Sequence, residues 1–155
     1  MEKIALDAAS SRILRELQRD SRQTVQELSA KVGLSVSPCW RRVKELEATG
    51  VVRRYTALVE REKVGLSSCI LAQVSLLRQT EGAAEQFESA MHACAEVIEC
   101  YSVTGDADYV IKVVLPDVKA YDAFLHRVMF KIKDIGTLRS MVVLREVKYE
   151  TALPV

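Results

Sequence analysis

The chain has 155 residues, 49% of them apolar, and 22 Lys and Arg against 21 Asp and Glu give a formal charge of +1, the profile of a globular protein rather than a disordered one. Glu2 and Lys3 follow the start, and the most apolar stretch, Cys69 to Leu77, is short and carries Gln73 and Ser75, so the expectation is a cytoplasmic chain with no secretory or membrane-spanning segment. Cys39, Cys69, Cys94 and Cys100 form no C-x-x-C pair, His92 and His126 have no neighbour of ligand type, and phosphate-loop, G-x-S-x-G and H-E-x-x-H motifs are all missing; no metal site, cofactor or catalytic residue is predicted, and the thiols read as reduced and mostly buried.

Charge divides the chain. Residues 1 to 59 carry 11 basic and 7 acidic side chains, whereas residues 60 to 155 carry 11 and 14, so the basic excess belongs to the first third. There, Leu6 to Arg19 places Ile13, Leu14 and Leu17 on one stripe, with Asp7 and Ser10 as available caps, and predicts an amphipathic helix. Thr24-Val25-Gln26-Glu27 is a capping box that opens a second, short helix with Val25, Leu28 and Val32 inward. Gly33 stops it, since glycine takes the positive φ that ends a helix. A third helix is capped by Ser35 or by Ser37; Pro38 is tolerated in its first turn, Val36, Cys39, Val43 and Leu46 recur on its inner face, and Gly50 ends it.

At 100° per residue that inner stripe leaves Ser37, Arg41 and Lys44 on the opposite side with Glu45 beside them, and puts Trp40 and Arg42 on opposite flanks. A short helix, a turn and a helix that docks by one face and presents Ser, Arg and Lys on the other suit insertion into a major groove, where arginine binds guanine edges and lysine or serine holds phosphate. The competing reading is a solvated or protein-docking helix face, with Trp40 a packing residue.

Val51 to Val59 is β-branched and aromatic-rich and reads as a strand leaving the helical unit, and Glu60 to Gly65 as a charged connection. Beyond it the period changes. Ile70, Ala72, Val74 and Leu76 alternate as a strand; Glu81 to Cys94 brings Ala84, Phe87, Met91 and Cys94 to one helical face; Val97 to Val103 is a strand; Gly105-Asp106-Ala107-Asp108 a turn; Tyr109 to Leu115 a strand. Asp117 caps a helix with Val118, Tyr121, Leu125, Val128 and Ile132 inward, and Leu138 to Val147 is the last strand. The order β-α-β-β-α-β predicts an α+β, ferredoxin-like sheet with both helices on one face. Leu71 and Leu77 leave apolar groups for the other face, so a partner sheet and hence a dimer are expected. Fold alone leaves an enzyme reading open, with Asp106 and Asp108 as paired carboxylates, though no nucleophile or basic partner accompanies them. A metabolite-sensing domain joined to a protein-docking helix-turn-helix is the other alternative.

Leu6-Asp7 with Ile13-Leu14 and Leu17, Leu28 to Leu34, Ser35, Pro38-Cys39, Arg42-Val43 and Leu46-Glu47, then Gly50-Val51-Val52, Tyr55-Thr56-Ala57, Gly105-Asp106-Ala107-Asp108-Tyr109 and Met141-Val142-Val143 through Glu146-Val147-Lys148 resemble, in order, the Lrp/AsnC or feast/famine transcription regulators. The resemblance spans nearly the whole chain. It implies an N-terminal (winged) helix-turn-helix domain over 1–50, a linker with a dimer-pairing strand over 51–65, and a C-terminal effector-binding and oligomerisation domain, often called RAM, over 66–155. It further implies a cytoplasmic, nucleoid-associated bacterial regulator that binds operator DNA and an amino-acid effector, and that forms dimers assembling to octamers. By the same resemblance Thr24, Ser35, Ser37, Trp40, Arg41, Arg42 and Lys44 contact DNA, and Gly105, Asp106, Asp108, Tyr109, Ser140 and Met141 line an effector cleft. A glycine turn offers main-chain groups closely, and a carboxylate such as Asp108 can hold an α-ammonium group. Ala107 stands where many members have an aromatic residue and Met141 where others have Tyr or Thr, so a ligand's side chain would meet a different wall. The closing Thr151-Ala152-Leu153-Pro154 looks like that of a subgroup ending in Thr-x-Leu-Pro.

Overall fold

The computed structural model describes residues 5–77 and 81–155; Glu2 and Lys3, on which part of the expectation about a leader rests, lie outside them. The chain divides into two compact units, residues 1–58 with 148–155, and residues 59–147. Among the described residues no helix is long and apolar enough to cross a membrane.

The first unit contains α1 (Ala8–Arg19), α2 (Val25–Val32) and α3 (Val36–Ala48). Ile13, Leu14, Leu28, Val32, Cys39, Val43 and Leu46 form its core, one stripe from each helix as the periodicity predicts. The helix ends are held by local chemistry. Asp7 Oδ1 accepts the Ser10 N–H at 2.7 Å to cap α1. The Thr24 hydroxyl accepts the Glu27 N–H at 3.2 Å while the Glu27 carboxylate accepts the Thr24 N–H at 2.7 Å, a reciprocal cap of the kind whose loss costs about 1 kcal/mol. Gly33, at φ 69°, closes α2, a conformation that a side chain would strain. Ser35 rather than Ser37 occupies the cap position of α3, and its carbonyl accepts the Cys39 N–H at 3.1 Å. Val36 is exposed instead of inward, because it sits in the first turn, before the helix reaches the core.

Two expectations change at the borders of this unit. Residues 53–60 hold no regular secondary structure where a strand over 51–59 was expected; among the described residues no strand pairs with their backbone, and a strand is defined by its partner. The last eight residues, assigned by sequence to the second domain, belong to the first unit. Val155 packs beside the helical core. The Gln18 side-chain amide donates to the Leu153 carbonyl at 3.1 Å and accepts its N–H at 2.6 Å, and Arg15 Nε donates to the Val155 carbonyl at 2.7 Å. Gln18 thus supplies both halves of a strand-like pairing that a detached tail otherwise lacks.

The second unit contains β1 (Ser68–Leu76), α4 (Glu81–Ala93), β2 (Val97–Ser102), β3 (Tyr109–Leu115), α5 (Val118–Arg127) and β4 (Ile135–Val142). The strands form one antiparallel sheet in the order β2-β3-β1-β4. Ile70 faces Val113, Ala72 faces Ile111 and Val74 faces Tyr109; this side of the sheet packs on Phe87 and Met91 of α4 and on Tyr121 and Phe124 of α5. Of the stripe expected for α5, Tyr121 and Ile132 are buried and Leu125 and Val128 pack against the core, whereas Val118, the first residue of the helix, is 56% exposed; Phe124 is buried in addition. The helix stops at Arg127 and a 3-10 turn over Met129–Lys131 follows, beyond which Ile132 still reaches the core. Ala83 rather than Ala84 is the buried alanine of α4. The final strand runs Ile135–Val142 instead of Leu138–Val147; Leu144 and Val147 beyond it are exposed, since β1, its neighbour in the sheet, begins at Ser68.

Candidate DNA-reading helix and effector cleft

The core contacts of Cys39, Val43 and Leu46 turn the opposite face of α3 to solvent, and Ser35, Ser37, Trp40, Arg41 and Lys44 are all exposed. Trp40 is 52% exposed, more than a packing residue requires. Arg41 is loosely paired with Glu45, at 3.7 Å along the same helix. Lys44 Nζ donates to Glu47 Oε2 at 2.7 Å, and the Tyr55 hydroxyl donates to Glu47 Oε1 at 3.0 Å. Burial, with the Glu47 charge beside it, pushes the Tyr55 phenol up to about 12, so it stays a donor. Exposed pairs within one helix contribute ~0–1 kcal/mol, and a phosphate can displace them at little cost.

Arg42 differs from its neighbours. Its Nη1 donates to Asp7 Oδ2 at 2.6 Å and to Ser10 Oγ at 3.2 Å, so it points at α1 rather than outward. The Thr24 hydroxyl is engaged in its capping box, donating to Glu27 Oε2 at 2.9 Å. Sequence reading assigned Asp7 only a capping role and missed Glu47; the three-residue spacing of Lys44 and Glu47 was the available signal for the latter.

In the second unit the loop after β2 is stitched to the end of β1, where the pairing with β4 slips between Ser75 and Leu76. Asp108 Oδ2 accepts the Leu76 N–H at 2.7 Å, the Asp108 N–H donates to Val74 at 3.0 Å, and the Ser75 hydroxyl donates to the Asp106 carbonyl at 3.1 Å. Gly105 turns the chain at φ 117°. A recess of about 50 Å³ lies here, lined by Gln73, Ser75, Asp106, Ala107, Thr137 and Arg139, with room for roughly one or two waters and too small for an amino acid.

The six residues expected around an effector do not converge. Met141 pairs opposite Leu71 on the side of the sheet away from the helices, four residues along β4 from Thr137. Tyr109 and Ser140 face the helices: the Tyr109 ring lies 4.6 Å from that of Phe87 and its hydroxyl donates to Glu88 at 2.8 Å, while Ser140 Oγ and the Tyr121 hydroxyl are 2.6 Å apart. Adjacent strand residues point to opposite faces, so Ser140 and Met141 cannot line one cleft within a single sheet. Gln73 and Arg139, which oppose each other in the register, were missed; Arg139 lies two residues from Met141 and so shares its face.

An open groove of about 370 Å³ lies elsewhere, between α4 and β2, bordered by Glu88, Met91, His92, Ile98 and Cys100. Its carboxylates are engaged, Glu88 by Tyr109 and Glu99 by Tyr101 and Lys112. Among the described residues no group of three His, Cys, Asp or Glu side chains is placed to hold a metal. No disulfide links the four cysteines, and burial pushes the Cys39 and Cys94 thiols up, away from the thiolate form.

Comparison with known proteins gives this geometry its frame. Residues 6–53 match the profile described as winged helix-turn-helix DNA-binding, and residues 69–153 match that of the Lrp/AsnC ligand binding domain. The chain belongs to the Lrp/AsnC family. The leucine-responsive regulatory protein of Klebsiella pneumoniae is 38% identical over 148 residues, covering 96% of this chain and 90% of that one. A transcriptional regulator of Neisseria meningitidis, solved as a complex with L-methionine, superposes with a TM-score of 0.92 at 37% identity over 97% of each chain. An AsnC family transcriptional regulator of Agrobacterium tumefaciens gives 0.91 at 38% identity, over 96% of this chain and 97% of that one. As an Lrp/AsnC protein the chain is a DNA-binding transcription regulator with a ligand-binding domain, and its α+β architecture is that of the family.

Proposed function

We propose that this Lrp/AsnC regulator reads operator DNA with the outward face of α3 and that an amino acid modulates its DNA binding or assembly, acting by binding rather than by catalysis, in the cytoplasm and on the nucleoid. The observation that carries the DNA half is the division of α3 between a buried Cys39, Val43 and Leu46 and an exposed Ser37, Trp40, Arg41 and Lys44. Arg41 reads a base edge; Ser35, Ser37 and Lys44 hold phosphates, with Trp40 at the margin. Thr24 presents an α2 terminus to the backbone, where helix N-termini favour anions. The domain limits 1–50, 51–65 and 66–155 mark these functions, with the tail over 148–155 structurally part of the first unit.

The effector half draws on the relatives, one named leucine-responsive and one solved with L-methionine. Gly105, Asp106 and Asp108 form the chain's own contribution, with Gln73 and Arg139 beside them, and the shallowness of the recess is consistent with a second copy supplying the remaining walls. The unpaired stretch over 53–60 pairs with its mate in a dimer, and dimers assemble further to octamers. A dimer would engage half-sites about one helical turn apart, ~34–36 Å.

The test is a titration with DNA from upstream of the chain's own gene, followed by fluorescence of Trp40, the only tryptophan, at two salt concentrations with and without an amino-acid pool. Tight binding that weakens steeply with salt and responds to the pool is expected; binding no better than to random DNA would remove this operator. Arg41→Ala should weaken the specific complex by ~1–3 kcal/mol, the worth of a bidentate base contact, and an unchanged affinity would remove Arg41 from the reading.

A further inference from the structure

We propose that Arg42 is a positioning residue, held against α1 by Asp7 and Ser10, which sets the rotation of α3 about its own axis and thereby aims Ser37, Arg41 and Lys44 at DNA. This rests on the reading of α3 as the DNA-contacting helix.

Four observations carry it. The Arg42 side chain is 27% exposed against 70% for Arg41, although the two are adjacent in sequence, so one guanidinium is committed to the protein and the other to solvent. Its partners belong to α1 and its cap: Asp7 lies 35 residues away and Ser10 lies 32. The Lys44 and Glu47 pair is different in kind, because it joins two residues of one helix and its release leaves that helix where it was. Finally, one Asp7 carboxylate performs two tasks, capping α1 through Oδ1 at 2.7 Å and gripping Arg42 through Oδ2 at 2.6 Å. The cap on α1 and the placement of α3 are therefore fixed by the same group.

The need for such a brace follows from the rest of the interface. Cys39, Val43 and Leu46 hold α3 by apolar contact, which is strong and non-directional. A short helix on an apolar cluster can roll without losing much of that contact, and a roll redirects every outward side chain. Charge-assisted hydrogen bonds have geometric requirements that apolar packing lacks. The Asp7 carboxyl is held down to about 2, first by the backbone and hydroxyl of Ser10 and then by Arg42, so the brace is charged throughout the range in which the protein would bind DNA.

Asp7→Asn gives the decisive sign, because asparagine also caps helices and so removes the charge while keeping the α1 cap. The wild-type chain first selects a duplex from a random-sequence library. Affinities for that duplex and for the unselected library are then measured between 50 and 200 mM KCl for Asp7→Asn, Arg42→Ala, Arg42→Lys, the double variant Asp7→Asn with Arg42→Ala, and Arg41→Ala. If Arg42 positions α3, Asp7→Asn and Arg42→Ala each lower the ratio of selected to unselected affinity by roughly tenfold, and the double variant is no worse than the worse single one, as for other directly coupled pairs. Arg42→Lys recovers part of the ratio, and the slope of log affinity against log salt stays at the wild-type value. If Arg42 instead contacts a phosphate, Asp7→Asn tightens binding to both DNAs, and Arg42→Ala lowers the slope by ~0.9. That outcome overturns the proposal, as does a wild-type ratio in both single variants. An unchanged ratio in Arg41→Ala, with the others as expected, would count against Arg41 and not against the brace. Far-UV circular dichroism and a thermal midpoint well above the titration temperature establish that each variant is folded.

Discussion

In the first unit the outward groups Ser37, Arg41 and Lys44 stand on successive turns of one helix, and a single apolar stripe orients all of them. In the second, the groups expected around an effector come from a loop and from strands distant in sequence, and they divide between two faces of a sheet: Gly105, Asp106 and Asp108 at the loop, Met141 on the open side, Tyr109 and Ser140 against the helices. A helix face is complete within its own chain. The chemistry of a sheet face with a shallow recess depends on what covers it.

The two cores offer the strongest way to break this comparison. Phe87 is wholly buried between sheet and helices of the second unit, and Phe87→Ala should destabilise that unit by ~3–5 kcal/mol. Thermal unfolding followed by circular dichroism should show the loss, while Trp40 fluorescence, which reports the first unit, should keep its own midpoint. A common shift of both signals would make the units one cooperative body.

The division of the sheet can be sharpened at a smaller scale. Asp108→Asn removes the charge offered to an α-ammonium group and should weaken amino-acid binding by ~1.5–3 kcal/mol, the range for hydrogen bonds to charged groups, as read by calorimetry. Ser140→Ala, on the helix side with Tyr121, should leave that affinity unaltered. Equal losses in both variants would mean that the effector reaches the helix-covered side.

The smallest expected effect separates the units by acid. Asp7, Asp20, Glu27 and Glu47 are all held below their ordinary values by hydrogen bonds and neighbouring cations, and all lie in the first unit. A carboxyl whose folded value is depressed contributes stability that is fully present above its unfolded value and is lost as pH falls toward the folded one. For Asp7 that window runs from 3.8 down to about 2. The Trp40 midpoint should therefore fall with pH through this window, and fall less in Asp7→Asn; identical slopes would remove Asp7 from the linkage.

How much of this was legible in the sequence follows from the range of each interaction. The capping box of Thr24 and Glu27 and the turn at Gly33 are completed within four residues and were read in place, and Asp7 was one of the two caps the sequence offered for α1. The order of the second unit was legible because alternation at Ile70, Ala72 and Val74 and helical spacing at Phe87 and Met91 are also local. The stretch over 53–60 forms no strand within the single chain, because β-branched composition shows willingness to pair and says nothing about where the partner lies. The stripe of α5 was legible at Tyr121, Leu125, Val128 and Ile132 and failed at Val118, which sits in the first turn before the helix reaches the core. For the candidate sites, the outward face of α3 was legible from its apolar stripe. The commitment of Arg42 to Asp7 was not, since that contact joins helices far apart in sequence. The opposite orientations of Ser140 and Met141 follow from strand alternation alone, and sequence reading had the means to see them.

The tail that returns to α1 changes what it means for this chain to be cut or unfolded. Because residues 148–155 rejoin the first unit, the second unit is an insertion tethered at both ends, and unfolding it releases a closed loop whose chain entropy is smaller than that of a dangling segment. For the same reason a break within residues 53–60 does not by itself set the halves free. They remain linked by whatever Gln18, Arg15 and the packing of Val155 can hold, so the DNA-binding unit is secured by one covalent strand and one reversible clasp.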